Sequence, residues 1–377
     1  MNCVIIESRL QVNNPFRKLD MTITRRVFLA AGAAATAIAS ERFFSTRSAQ
    51  ADNKVLNLYT ARHYGSDTQI YEGFFKKTGI KVNLVEATAD KLVERVKSEG
   101  RNSPADVIMT VDAGNLYRAQ QADVFQPIDS RILKDAISEN LRDSNGTWYG
   151  FTKRTRVIMY NKERGIDLSK VKTYEDLGRE DLGYKILVRS SSNIYNQSLM
   201  GSIVELYGDE GAEKWAKGVV KNMARKPEGG DTPQIQALAS GMADLAISNT
   251  YYLARLAKSS KAEDREVASK VGVIFPNQMG DGKLSRGAHT NISGAGVAKY
   301  SPNKDAAIQY LEYLATPEVQ KMFAANNNEY PVLPRGRVDI DPVLLSYGSF
   351  KEDVMSAEIL GKNNQRAIQA MDRAGWK

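Results

Sequence analysis

Tyr64, Tyr195, Tyr251 and Tyr252 each stand just after a strand-like run and at the start of a helix-like one. In open α/β sheets, ligands collect at the carboxyl ends of strands, beside helix N-termini. His63-Tyr64 follows Val55-Leu56-Asn57-Leu58-Tyr59 and precedes the helix opening Gly65-Ser66-Asp67. Tyr195 lies in Ser190-Ser191-Ser192-Asn193-Ile194-Tyr195-Asn196, a cap-rich helix start after Lys185-Ile186-Leu187-Val188. Tyr251-Tyr252 follows Asp244-Leu245-Ala246-Ile247-Ser248, with Asn249 or Thr250 as the N-cap. A lone tyrosine at such a junction is more often a packing residue than a ligand. Four of them at three equivalent junctions, one beside one of only two histidines, would converge if two lobes closed on each other.

Phenols titrate near pH ~10 and are neutral at pH 7. A small, highly charged cation displaces those protons. Phenolate is a hard anionic oxygen donor and suits a hard trivalent ion. Tyrosine also ligates iron in haem proteins. Free Fe(III) is therefore the natural candidate, and Fe(II) remains open, held by the same groups with fewer of them ionised. Four phenolates around Fe(III) leave a net charge of −1. Arg255 lies four positions after Tyr251 and three after Tyr252, on their helical face. Arg154 is the other candidate cation, but strand alternation puts Arg154 and Arg156 on one side and leaves the choice between them open. Either Arg255 or Arg154 could offset the residual charge or hold a synergistic anion.

The elements that must position these groups begin after residue 51. Thr24-Arg25-Arg26-Val27-Phe28-Leu29 is a twin-arginine pattern, and the apolar run Phe28 to Ala39 covers twelve residues, against about 20 for a membrane span. Ala49-Gln50-Ala51 supplies a small-x-small cleavage pattern. Residues 1–51 are expected to be a removed signal peptide for twin-arginine export to the periplasm, with Met21 as the start and Asp52 as the first mature residue. The chain has 377 residues and a net charge of +8, of which the leader carries half, so the balance does not point to nucleic acid. The single cysteine, Cys3, lies in the leader, which excludes a disulfide scaffold and any Cys-based zinc or iron–sulfur site. All 17 tyrosines lie in the mature part.

That part reads as two α/β lobes. Strand-like runs at Val55–Tyr59, Lys81–Val85 and Ala105–Met109 alternate with helix-like Thr68–Lys77 and Lys91–Glu99. A long strand-like stretch, Trp148 to Tyr160, is expected to cross between lobes. A second series follows: strands at Lys185–Val188, Asp244–Ser248 and Val271–Phe275, with helices at Tyr195–Tyr207 and Tyr251–Ala257. Ala306–Ala315 closes with another helix. A mixed, mainly parallel sheet flanked by helices is expected in each lobe.

The residues resemble a known family at this point: the class II periplasmic ferric-iron-binding proteins of ABC importers, in particular the cyanobacterial FutA type. The matching segments span nearly the whole mature chain and include Asn57-Leu58-Tyr59-Thr60-Ala61-Arg62-His63-Tyr64, Arg154-Thr155-Arg156-Val157-Ile158, Asn249-Thr250-Tyr251-Tyr252-Leu253-Ala254-Arg255 and Asn328-Glu329-Tyr330-Pro331-Val332. The resemblance implies a two-lobed fold with hinge strands: an N-terminal lobe of 52–152 plus 276–322 and a C-terminal lobe of 153–275 plus 323–377. It carries iron ligation onto Tyr64, Tyr195, Tyr251 and Tyr252. His63 matches a position that ligates iron in some members and stands aside in others. Many relatives outside this branch use a carboxylate from the first lobe, and no equivalent is evident here. The implied partners are an inner-membrane ABC permease and iron, with no nucleic acid, and a monomer is expected. Two other readings stand beside it. One is the same fold holding an anion, polyamine or sugar. The other is an exported enzyme, against which the chain has no G-x-S-x-G, H-E-x-x-H or Walker A pattern, and Asp112 with His289 is the sole acid/base pairing that suggests itself.

Overall fold

The computed structural model describes residues 54–334 and 336–377. The twin-arginine pattern, its apolar run, the cleavage pattern, Asp52 and Cys3 lie outside the described residues. Among the described residues, no helix is long and apolar enough to cross a membrane.

Among the described residues, nine strands make up the sheet: β1 Val55–Thr60, β2 Lys81–Glu86, β3 Val107–Val111, β4 Tyr149–Asn161, β5 Ile186–Leu187, β6 Leu245–Asn249, β7 Val271–Ile274, β8 Thr290–Val297 and β9 Tyr330–Pro331. Their order is β2-β1-β3-β8-β4-β6-β5, with β7 and β9 also pairing with β4. The sheet is mixed, but the expected parallel majority is not found. Only β1–β2, β1–β3 and β5–β6 are parallel, whereas the pairings of β3 with β8 and of β4 with β6, β7, β8 and β9 are antiparallel. The reason lies in β4 and β8. Every antiparallel pairing involves one of them, because they join the two halves of the molecule and do not follow the β-α-β alternation inside either half.

β4 is the crossing strand that the Trp148–Tyr160 stretch predicts. Residues Tyr149–Thr155 pair with β8, and Arg156–Asn161 pair with β6 and β7. At about 3.3 Å per residue its 13 residues reach from one core well into the other. β8 reads poorly from sequence, since Thr-Asn-Ile-Ser-Gly-Ala-Gly-Val has no apolar alternation, yet all eight residues are buried. Its glycines allow close strand approach: a Cβ on Gly296 would lie 2.3 Å from the Thr147 carbonyl oxygen.

Hydrophobic packing divides along these strands. The first core gathers Leu56, Leu58, Phe74, Val107, Leu116, Trp148 and Tyr149 with Ile292 and Leu311. The second lies on both faces of the far half of β4. Ile158, Ile186, Leu245 and Ile247 pack on one side, and Val157, Met159, Leu187 and Ala246 on the other, following the two-residue period of a strand covered by helices on both faces. The C-terminal stretch serves both cores: Phe323, Val332 and Leu360 pack in the first, Ala367, Met371 and Trp376 in the second.

Candidate metal centre

Each tyrosine junction forms as its local sequence dictates. β1 ends at Thr60, and Tyr64 leads into the turn Gly65–Asp67 and the helix Thr68–Thr78. That helix stops at Gly79, whose φ of 72° suits a residue without a Cβ. Tyr195 is the second residue of the helix that starts at Ile194, past the end of β5. Thr250 starts the helix Thr250–Ala257 directly after β6, with Asn249 as its N-cap. All three junctions thus lie at the carboxyl ends of strands.

The structure brings the four phenols together. The Tyr251 hydroxyl donates to the Tyr195 oxygen at 3.3 Å. The rings of Tyr251 and Tyr252 lie 4.2 Å apart. Arg255 joins the third junction: its guanidinium is 5.6 Å from the Tyr251 ring, 5.7 Å from Tyr252 and 6.0 Å from Tyr64. His63 sits apart. Its side chain is 55% exposed, and Nδ1 lies 3.7 Å from Glu86.

Arg154 and Arg156 differ in their partners. Both face Tyr195, at 5.7 and 6.0 Å from its ring. Arg156 is committed to Asp231 (3.0 Å), Asn249 (3.2 Å) and Asn196 (2.6 Å). Arg154 reaches Ser293 and lies 3.5 Å from Glu329, while its buried Nε and Nη1 have no partner. Of the two, Arg154 keeps two buried nitrogens without a partner, Nε and Nη1, and Arg156 keeps one, Nε.

Sequence reasoning missed the charges behind these arginines. Glu329 is fully buried between Arg62, at 3.0 Å, and Arg154. Asp231 is fully buried between Arg156, at 3.0 Å, and Arg189, at 2.7 Å. Arg62 also holds Asp67 at 3.0 Å and lies 4.7 Å from the Tyr64 ring, and Arg189 lies 5.6 Å from the Tyr195 ring. The available signal was weak: Arg62 and Arg189 stand two and six positions before site tyrosines, a spacing that many solvated arginines share. Among the described residues, five guanidiniums thus lie within 6.0 Å of one of these four phenol rings, against three carboxylates paired to them, an excess of two positive charges.

Burial pushes Tyr64, Tyr251 and Tyr252 above the ordinary phenol range. Ionising one phenol raises its neighbours further: Tyr195, Tyr64 and Tyr252 all act on Tyr251 in this sense, and Arg154 opposes them. Arg62 and Arg154 do the same for Tyr64 against Glu329. Alone, Tyr64, Tyr251 and Tyr252 are neutral phenols at pH 7. A trivalent cation among them would reverse the balance, turning mutual repulsion of phenolates into shared attraction. Among the described residues, no group of three or more His, Cys, Asp or Glu is placed to hold a metal.

Asp112 and His289 have separate hydrogen-bond partners. The Asp112 carboxylate accepts from Gly114, Ser198 and Asn291. His289 is buried, with the Tyr174 hydroxyl on its amide.

Two α/β cores joined by crossing strands, with polar groups gathered at strand ends from both, form the architecture of a solute-binding protein. The chain belongs to the bacterial extracellular solute-binding protein family, whose family model matches residues 102–351. It is 47% identical over 355 residues to iron uptake protein A2 of Synechocystis sp., covering 94% of this chain and 99% of that protein. It is 25% identical over 329 residues to the major ferric iron-binding protein of Neisseria meningitidis, covering 85% and 93% of the two chains. Among solved structures, Trichodesmium FutA (IdiA) in complex with iron and citrate superposes with a TM-score of 0.81 at 56% identity, covering 86% of this chain and all of that one.

Proposed function

We propose that this protein captures ferric iron in a cleft between its two cores and delivers it to an ABC importer of the inner membrane. The observation that carries the reading is the meeting of Tyr64, Tyr195, Tyr251 and Tyr252 from three separate strand–helix junctions. In this reading the four phenolates are the ligands and iron is cargo, not a resident cofactor. Tyr64 comes from the N-terminal lobe and the other three from the C-terminal lobe, so binding and closure are one hinge event along β4 and β8. His63 keeps its Glu86 partner at the edge of the site. Arg154 and Arg255 lower the cost of gathering negative oxygens, and the excess of guanidiniums leaves room for a synergistic anion beside the metal. Residues 1–51 act as a twin-arginine signal that sends the folded protein to the periplasm, where it works as a monomer and not as an enzyme.

Titrating the purified protein with Fe(III) tests the reading. A visible phenolate-to-iron charge-transfer band should grow to one equivalent, and Tyr195→Phe combined with Tyr252→Phe should abolish it and lower the affinity by at least ~100-fold. An unchanged affinity in that double variant would contradict the assignment. The same guanidinium excess favours a second reading, an anion held without metal. Equilibrium dialysis against small anions, with and without Fe(III), separates the two.

A further inference from the structure

Asp112 ends β3 and caps the helix Ala113–Gln121 with φ 84° and ψ 139°, a region that side-chain-bearing residues rarely occupy. Such backbone persists where its surroundings over-determine it. The Asp112 amide donates to the Ile292 carbonyl at 2.9 Å. Oδ1 accepts from the Gly114 amide at 2.9 Å and from the Ser198 hydroxyl at 2.5 Å, and Oδ2 accepts from Asn291 at 3.0 Å. Asp112 is completely buried.

These partners differ in where they belong. Gly114 lies in the same turn, and Asn291 and Ile292 lie in β8. Ser198 lies in the helix of the second core, next to Leu199 and Met200. It is three residues after Tyr195, hence on the same helical face. The second core holds that same turn through Asn196, whose side chain accepts from Arg156 at 2.6 Å and donates to the Arg189 carbonyl at 2.7 Å. The helix bearing Tyr195 is therefore tied to its own core by Asn196 and to the first core by Ser198. A hydroxyl on a buried carboxylate is a strong, short tie.

We infer that Asp112 is a positioning residue for the metal centre: through Ser198 it sets the helix of Tyr195 against the core that carries Tyr64, so that phenols from both cores meet at one point. Asp112 touches no metal, and the inference rests on the iron-binding reading proposed above. The strained backbone at 112 aims the carboxylate across to Ser198 while the same side chain caps its own helix.

The test compares Ser198→Ala with Ser202→Ala, an equally buried serine one turn on that bonds to the Leu199 carbonyl at 2.7 Å. Ser198→Ala should weaken Fe(III) binding at least tenfold and move the charge-transfer maximum, while Ser202→Ala leaves both unchanged. The exchange Asp112→Asn with Asn291→Asp preserves the bonding pattern and should retain wild-type affinity. A second readout uses metal-free protein labelled with 3-fluorotyrosine, with the Tyr195 ¹⁹F line assigned through Tyr195→Phe. Ser198→Ala should shift or broaden that line. Absence of iron binding in the wild type would sink the iron reading, whereas this metal-free line reports on the positioning alone. Wild-type affinity and an unmoved line in Ser198→Ala, or equal losses in Ser198→Ala and Ser202→Ala, would overturn the inference.

Discussion

The phenol oxygens of Tyr251 and Tyr195 lie 3.3 Å apart, although their helices follow two different strands and 56 residues separate them in the chain. Two phenolates at that distance repel strongly when buried, and a cation shared between them would turn that repulsion into attraction. In the four-phenolate reading, proton release is part of metal capture.

Iron binding should therefore weaken as the pH falls. Tyr64, Tyr251 and Tyr252 are raised above the usual phenol range in the metal-free protein, so each remains protonated at neutral pH and must lose its proton to ligate. Each such proton costs ~1.4 kcal/mol of affinity per pH unit of acidification. Competition against nitrilotriacetate at two pH values measures the slope, which should correspond to several protons per iron. A pH-independent affinity would contradict phenolate ligation.

Arg154 should set where on the pH scale that release falls. Its guanidinium opposes the upward shift of both Tyr64 and Tyr251. Arg154→Gln should move the midpoint of acid-induced iron release to higher pH, and Arg154→Lys should hold it near the wild-type value. Arg62 still pairs with Glu329 in the variant, so the loss of stability should stay near ~1–3 kcal/mol in urea unfolding.

His289 gives the fold a separate acid sensitivity. Burial, with Arg156 and Arg286 nearby, lowers its pKa from 6.5 to about 3. The unfolded chain takes up a proton below pH ~6.5 that the folded chain refuses, so this contribution is complete above that pH and is lost as the pH falls toward 3. Between pH 6.5 and 5, wild type should lose ~2 kcal/mol more than His289→Gln in denaturant titrations. Parallel pH profiles for the two proteins would count against it.

The tyrosine junctions were legible in the sequence because each is local: a strand run, a short loop and a helix start place Tyr64, Tyr195 and Tyr251 without any knowledge of topology. The crossing strand was legible too, since Tyr149–Asn161 is long and mostly buried on both faces. β8 was not, because its role depends on small residues wedged between β3 and β4, and small polar residues carry no periodic signal. That omission also hid the antiparallel centre of the sheet. The arginine–carboxylate networks were beyond reach for a different reason. Arg62 and Glu329 are 267 residues apart, and only the folded sheet reveals that two buried charges share a partner. His63 matches a position that ligates iron in some relatives and stands aside in others, and here its side chain faces Glu86 while Tyr64 lies under Arg62.

The most direct test is the absorption spectrum of the protein purified in air, recorded before and after chelation and again after adding Fe(III). The four-phenol site predicts a visible charge-transfer band that chelation bleaches and Fe(III) restores. A protein that stays colourless with excess Fe(III) would contradict it.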